Sequence, residues 1–353
     1  MLAARFVNQG SPLVVTEVPD PDPPEDGVVI QVETAGVCGT DAHLWAGDWD
    51  WAGIRLTLPV TLGHEVAGRI VAVGTRGGHL EIGDRVVVPF HLSCGRCGQC
   101  RSGLSNLCED AGYLGSTQDG AFAEYMSVPN AELNALRLPS SISFDDAATL
   151  GCRYMTAFRG LVDLARVEAG QWLVVIGAAG GVGRAALQLA DALGVATIAV
   201  DLATRLSELA QVADHAMDID DPSLRMRICD VTAGGAQVVL DAVAKPLTAA
   251  VAIGALRKSG TLVQVGLTGP ESRGWLHVPM DEVVHRELRI FGVSGNPHIR
   301  FDPLLSLVSN GRCKPSNLVT RTVDLTEVSA VLESMRLYGT SGMVVVHPRP
   351  LRE

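Results

Sequence analysis

Cys94, Cys97, Cys100 and Cys108 fall in one short stretch with the pattern C-x2-C-x2-C-x7-C. Four thiolates this close together match a closed tetrahedral zinc site, which takes four sulfur donors and leaves no coordination position open. A ferredoxin-type iron–sulfur cluster would have a shorter last spacing followed by proline; here seven residues intervene and Glu109 follows. A redox C-x-x-C would bring two cysteines beside a βαβ unit, not four in a loop. The spacing predicts a structural zinc lobe over residues 91–112, where few apolar residues are available to do the same work.

A second group of soft ligands lies outside the lobe. Cys38 in VCGTDAH, His64 in LGHEVAG and Cys152 in LGCRYMTAF supply two sulfurs and one nitrogen. A lone cysteine is most often core filler and a lone histidine a satisfied polar residue. Together the three form the ligand set of an open zinc site, with a fourth position for water or substrate. Glu65, next to His64, reads as an acid beside the metal, an alternate ligand, or half of a salt bridge.

The third feature is GAAGGVG, comprising Gly177, Gly180, Gly181, Val182 and Gly183, after an apolar run and before a helical pattern. Glycines there let the backbone approach a pyrophosphate, whose charge then sits at a helix N-terminus. Ala178 stands where G-x-G-x-x-G would place its first glycine, with Gly180 and Gly183 in register. Asp201 follows 18 positions after Gly183, at the end of the next apolar run. A carboxylate there accepts from both ribose hydroxyls of NAD and repels the 2′-phosphate of NADP, so NAD is expected although Arg205 lies nearby. One closed metal site, one open one and one dinucleotide turn point to a zinc enzyme that moves hydride.

Two kinds of framework must position these groups. From Gly27 to about Val128, short strands such as VVIQVETAG, VAGRIVAVG and DRVVVPF alternate with Gly and Pro turns, which predicts an all-β region. Ser143 reads as a helix cap, with Asp145 and Asp146 at the helix's positive end. After Met155 the pattern changes. QWLVVIG, ATIAVD, AQVVLDAV, GTLVQVGL and LRIFGVS read as buried strands, with helices over 180–193, 204–212 and between the later strands. That alternation predicts an α/β, doubly wound parallel sheet. Beyond Gly295 a helix pair and the strand GMVVVHP are expected to return to the first domain.

Composition narrows the function further. The 353 residues suggest about two domains. A hydrophobic content of 47% with 19% charged residues is that of a packed globular protein. The net charge of -11, without a basic run, argues against nucleic-acid binding, which depends on phosphate neutralisation. The opening MLAARFVNQGSPL lacks a secretory h-region, and no apolar run reaches membrane-spanning length. The mean hydropathy of +0.24 fits buried parallel strands, and a cytoplasmic location is expected. Eight cysteines in such a chain read as ligands, with Cys229 and Cys313 left over as small apolar residues.

With VCGTDAH, LPVTLGHEVAGRIVAVG, GDRVVVPF, the four-cysteine lobe, DGAFAEY, GCRYMTAF and VVIGAAGGVG, the chain resembles the zinc-containing medium-chain alcohol dehydrogenases over nearly its whole length. The resemblance implies a GroES-like, β-rich catalytic domain over 1–154, a Rossmann cofactor domain over 155–294, and a return to the catalytic domain over 295–353. It implies two zinc ions per chain, with Cys38, His64 and Cys152 holding the catalytic one and Glu65 close by. Thr40 would stand beside the reacting oxygen and relay a proton through the nicotinamide ribose to His43, while Asp41 would hydrogen-bond His64. Thr156, Val243 and Val265 would join the turn, Asp201 and Arg205 around NAD. Phe90 and Trp51, with Trp45 and Trp49 as core or pocket, would shape an apolar site for a medium-sized or aromatic alcohol, or the matching carbonyl. Cysteine at 152 is similar to the alcohol dehydrogenases, where polyol dehydrogenases usually carry glutamate. The alternatives are a polyol or hydroxyacyl-type dehydrogenase on the same fold, a zinc-independent quinone or enone reductase, or a catalytically silent zinc-stabilised relative. A homodimer or homotetramer, joined around Leu288 to Val293, is implied.

Overall fold

The computed structural model describes residues 1–337, 339–340 and 342–349. Its chain contacts divide it into two units, one running to Met155 and resuming at Gly295, the other Thr156–Ser294.

The first unit is built on Val28–Val37, a ten-residue strand buried along almost its whole length. That burial is explained by its place in the sheet. The order is Leu136–Arg137, Arg85–Val88, Glu65–Val73, Val28–Val37, Met343–Val346 and Val319–Val323, and Tyr125–Val128 also pairs with the long strand. Ile30, Val32, Val66, Ile70, Phe6, Leu62 and Phe122 pack with Val328 and Leu332 from the late helix Val328–Arg336 in one core. Removing a ring such as that of Phe122 would cost about 3–5 kcal/mol. The tail contributes directly, since Val344 pairs with Val37 in antiparallel register. Residues 350–353 of the expected third segment lie outside the described residues.

Two registers in this unit place chemistry. Gly36 lies opposite Glu65, so the ends of both strands bring Cys38 and His64 into one neighbourhood. Gly63, at φ 96°, turns the chain into His64, and a side chain there would lie 2.7 Å from the Phe122 ring. Glycine satisfies both demands at once.

The second unit is a six-stranded parallel sheet. Numbered along the chain within this unit, its strands lie in the order 3-2-1-4-5-6: Trp172–Ile176, Ala196–Asp201 and His215–Asp218 run outward on one side, and Ala236–Asp241, Leu256–Gln264 and Arg289–Gly292 on the other. The order reverses beside Trp172–Ile176, where such sheets bind ligands at the carboxyl ends of their strands. The helix expected over 204–212 is shorter: a 3-10 turn Ala203–Arg205 leads into Leu206–Leu209. The chain then turns on hydrogen bonds from Val212 and Ala213 to Leu209, because it must re-enter the sheet at His215. Among the described residues no helix is long and apolar enough to cross a membrane.

Candidate metal centres and nucleotide turn

The open centre is assembled by one buried carboxylate. Asp41, in the first turn of helix Gly39–Ala46, accepts from the Cys38 amide at 3.0 Å, the Gly63 amide at 3.2 Å and His64 Nδ1 at 2.9 Å. It caps the helix and ties together the two segments that carry Cys38 and His64. Because Nδ1 donates to Asp41, Nε2 is the ring atom left to bind a metal. Nε2 is buried and has no hydrogen-bond partner among the described residues. A buried imidazole nitrogen without a partner is costly unless something occupies it, so the site fits a cation.

Cys38, His64, Glu65 and Cys152 place one ligand atom each within 4.8 Å of one another. His64 and Glu65 are buried, whereas Cys38 and Cys152 are each partly exposed as residues. Hydrogen bonding from Cys152 drives the Cys38 thiol well below its usual range, against the opposing effect of burial and with help from His64. The same contact, reinforced by burial, pushes Cys152 up. Burial opposes charge on His64, but Asp41 outweighs it and raises the imidazole's pKa. Two sulfurs and a nitrogen so arranged suit zinc, which would displace the remaining thiol proton on binding.

Behind the ligands lies a buried ion pair. Arg153 Nε stands 2.9 Å from Glu65 Oε1, and the same guanidinium donates to the Val37 carbonyl. Glu65 is fully buried and Arg153 only 2% exposed. Burial pushes the Glu65 carboxyl up, and Arg153 is the strongest group pulling it back. Sequence reasoning does not single out Arg153, although it directly follows a ligand in GCRYMTAF, and arginine in an otherwise apolar segment is the available signal.

Thr40 is half-buried and His43 exposed on helix Gly39–Ala46. His43 Nδ1 lies 2.8 Å from Asp48 Oδ2, with its ring 4.9 Å from that of Trp49. Trp45 and Trp49 are both buried, and Trp45 donates to the Ser11 carbonyl, so packing accounts for both. Trp51 stands 38% exposed in the turn Asp50–Ala52. Phe90 meets His64 edge-on at 6.2 Å between ring centres, which places one expected aromatic beside a ligand.

In the lobe, the sulfurs of Cys94, Cys97, Cys100 and Cys108 also lie within 4.8 Å of one another. Backbone amides point at them: Cys94 N to Cys108 Sγ at 3.3 Å, and Cys97 N to Cys94 Sγ and Cys100 N to Cys97 Sγ at 3.4 Å. The Cys100 amide is the leading cause of a Cys97 pKa lowered to about 6. Burial pushes Cys100 up to about 12. Four sulfurs supply the full tetrahedral set of a closed site, which fits structural zinc. The lobe is moored by Ser93 Oγ donating to the Ser105 carbonyl at 2.8 Å and by the His298 amide donating to Ser105 Oγ at 2.9 Å. Among the described residues the two leftover cysteines join neither cluster.

The turn in the second unit follows strand Trp172–Ile176 and opens helix Gly181–Ala192, with Gly180 as its cap. Gly177 takes φ 77°, and a side chain there would meet Val243 at 2.6 Å. At Gly183 a side chain would come within 2.7 Å of the Ala178 backbone, so helix and strand pack this closely only with glycine. Asp201 accepts from the Ala179 amide and the Leu202 amide, both at 2.8 Å, which braces the turn. Each oxygen keeps a lone pair for another donor. Arg205 lies in the turn just beyond, 3.9 Å from Glu208. Val243 follows strand Ala236–Asp241 and Val265 follows strand Leu256–Gln264, both tied to Asp241 through their amides, and Thr156 is buried at the start of this unit.

Residues 24–140 match the alcohol dehydrogenase GroES-like domain, and residues 181–310 match the zinc-binding dehydrogenase domain. The chain is 34% identical to an NAD-dependent alcohol dehydrogenase of Sulfurisphaera tokodaii, covering 99% of this chain and 100% of that protein. The solved alcohol dehydrogenase TADH from Thermus sp. ATN1 superposes with a TM-score of 0.90 at 30% identity, covering 99% of this chain and all of the other. A cobalt- and zinc-bound thermostable alcohol dehydrogenase from Pyrobaculum aerophilum gives 0.84 at 28% identity, with 99% of each chain covered.

Proposed function

Since the chain belongs to the zinc-binding alcohol dehydrogenase family, we propose that it oxidises a medium-sized apolar or aromatic alcohol, reversibly, with NAD. The carrying observation is the convergence of Cys38, His64, Glu65 and Cys152 around an unpartnered, buried imidazole nitrogen. Cys38, His64 and Cys152 would hold the catalytic zinc, and Cys94, Cys97, Cys100 and Cys108 a second, structural one. Bound zinc supplies Lewis acidity toward an alcohol or carbonyl oxygen, and bound NAD supplies the hydride acceptor.

The chain's own groups do the rest. Asp41 holds the His64 ring with Nε2 toward the cluster. Thr40 Oγ1 would accept the alcohol's proton while passing on its own, and the exposed His43 ring, steadied by Asp48, would release a proton to solvent at the far end of the relay. Amides of the Gly180–Gly183 turn receive the diphosphate, and Asp201 uses its spare lone pairs on the ribose hydroxyls. Phe90, beside His64, gives the substrate an apolar wall. A cytoplasmic location and assembly through the outer edge of strand Arg289–Gly292 complete the reading.

A screen of NAD and NADP reduction over alcohols of graded size, with polyols alongside, tests this function. Apolar and aromatic alcohols should turn over with NAD at least about tenfold better than polyols, a margin of about 1.4 kcal/mol. Turnover of polyols alone would favour the alternative dehydrogenase.

The relay is tested separately. Thr40→Ser keeps a hydroxyl and should retain most of kcat, while Thr40→Ala should lose roughly 10²–10⁴-fold, the usual worth of a placed proton-transfer group. Equal losses in the two variants would remove the hydroxyl from the proton path.

A further inference from the structure

We propose that Arg153 is a positioning residue that decides whether Glu65 can take the fourth coordination place of the open centre. This rests on the reading that Cys38, His64 and Cys152 hold a metal.

The geometry brings one guanidinium against all three ligand segments. Arg153 is bonded in sequence to Cys152. Its Nε stands 2.9 Å from Glu65, the neighbour of His64, and another nitrogen donates to the carbonyl of Val37, the neighbour of Cys38. A planar fork makes both contacts at once, which a lysine ammonium on the same stem does not do. The residue is almost wholly buried, so little water screens the pair.

Glu65 has the means to become a ligand. It contributes an oxygen to the cluster whose ligand atoms all lie within 4.8 Å, and its Oε2 is buried without a hydrogen-bond partner among the described residues. Gly36, opposite it in the sheet, leaves the space the carboxylate fills, and any side chain there would overlap it. If Glu65 bound permanently, the centre would have four protein ligands, closed like the lobe, with no place for substrate. Arg153 gives the carboxylate an opposite charge to return to. It also offsets an otherwise unfavourable sum: two thiolates, Glu65 and Asp41 set four negative charges against the two positive charges of a zinc ion. The ion pair thus makes Glu65 a displaceable neighbour of the metal.

The test uses the full-length protein with cobalt(II) exchanged into the open centre, whose visible bands report coordination, and imidazole as an added ligand. Wild type should show bands that shift on imidazole addition. In Arg153→Met the shift should need roughly 10- to 100-fold more imidazole, kcat should fall by a similar factor, and cobalt should leave more slowly to a chelator. Glu65→Gln on that background should restore the imidazole response. A merely structural brace gives the opposite signs: faster metal loss and no rescue by Glu65→Gln. Glu65→Gln alone should bind imidazole more tightly than wild type, which keeps the idea testable if Arg153→Met does not fold; unchanged affinity there overturns it. Wild-type cobalt bands that ignore imidazole would overturn the reading of the open centre itself. A responsive wild type with an unchanged Arg153→Met overturns only the role of Arg153.

Discussion

His64→Ala is expected to lower kcat on the order of 10⁴-fold, about 5 kcal/mol of barrier, while the protein stays folded. The imidazole is the nitrogen donor of the three-ligand set, and its Nε2 has nothing else to bind among the described residues. Without it, Cys38 and Cys152 remain beside a Glu65 that is paired with Arg153, a set poorly suited to retain zinc against water. Asp41 keeps its bonds from the Cys38 and Gly63 amides, so the local backbone has a reason to hold its course. Losing the Asp41–His64 contact costs about 1–3 kcal/mol of stability, far less than the loss in rate. Metal analysis should find the zinc content halved, with the lobe still loaded. A variant that has lost this metal yet keeps more than about one hundredth of wild-type turnover would show that the centre is not the seat of chemistry.

Cys100→Ser should do the converse, unloading the lobe while sparing the chemistry. Most of the residues between Cys94 and Cys108 are exposed or half-buried, so the lobe has little apolar burial of its own and depends on its metal for order. Removing one thiolate from a closed four-sulfur site leaves the other three mutually repelling. The mooring bonds at Ser93 and Ser105 are neutral and worth about 1 kcal/mol each. Calorimetry should record a fall in Tm of roughly 10 °C, given the usual few degrees per kcal/mol at this size. Activity measured well below the new Tm should stay within about threefold of wild type, since Cys38, His64 and Cys152 belong to other segments. An unchanged Tm, with the second zinc gone, would mean that the lobe holds itself together.

The two centres differ in how far neighbouring residues alone determine them. All four sulfurs of the lobe lie within 15 consecutive residues, Cys94 to Cys108, so spacing alone brings them into reach. The nucleotide turn is similarly local: an apolar strand, glycines where a side chain would strike Val243 or the Ala178 backbone, and a helix start. The alternation of strands and helices from Trp172 onward implies the parallel sheet, because each element shows its own period. The helix expected over 204–212 ends early, since nothing in its residues announces that the chain must turn back into a strand at His215.

The open centre is different in kind. Its ligand types are visible at Cys38, His64 and Cys152, and chemistry of that sort limits which metal they suit. Their convergence, expected from ligand type and from the resemblance, does not follow from spacing. It depends on Gly36 lying opposite Glu65, on Gly63 turning the chain into His64, and on Asp41 receiving amides from both segments. Nor could the sequence say that Arg153 reaches back to Glu65 and Val37, or that Trp45 and Trp49 are absorbed by packing while Phe90 meets His64. Donor identity and short-range spacing are properties of neighbouring residues and were determined by the chain alone. Register, burial and the pairing of distant charges arise only when the whole core closes, because each strand's position is set by the strands beside it.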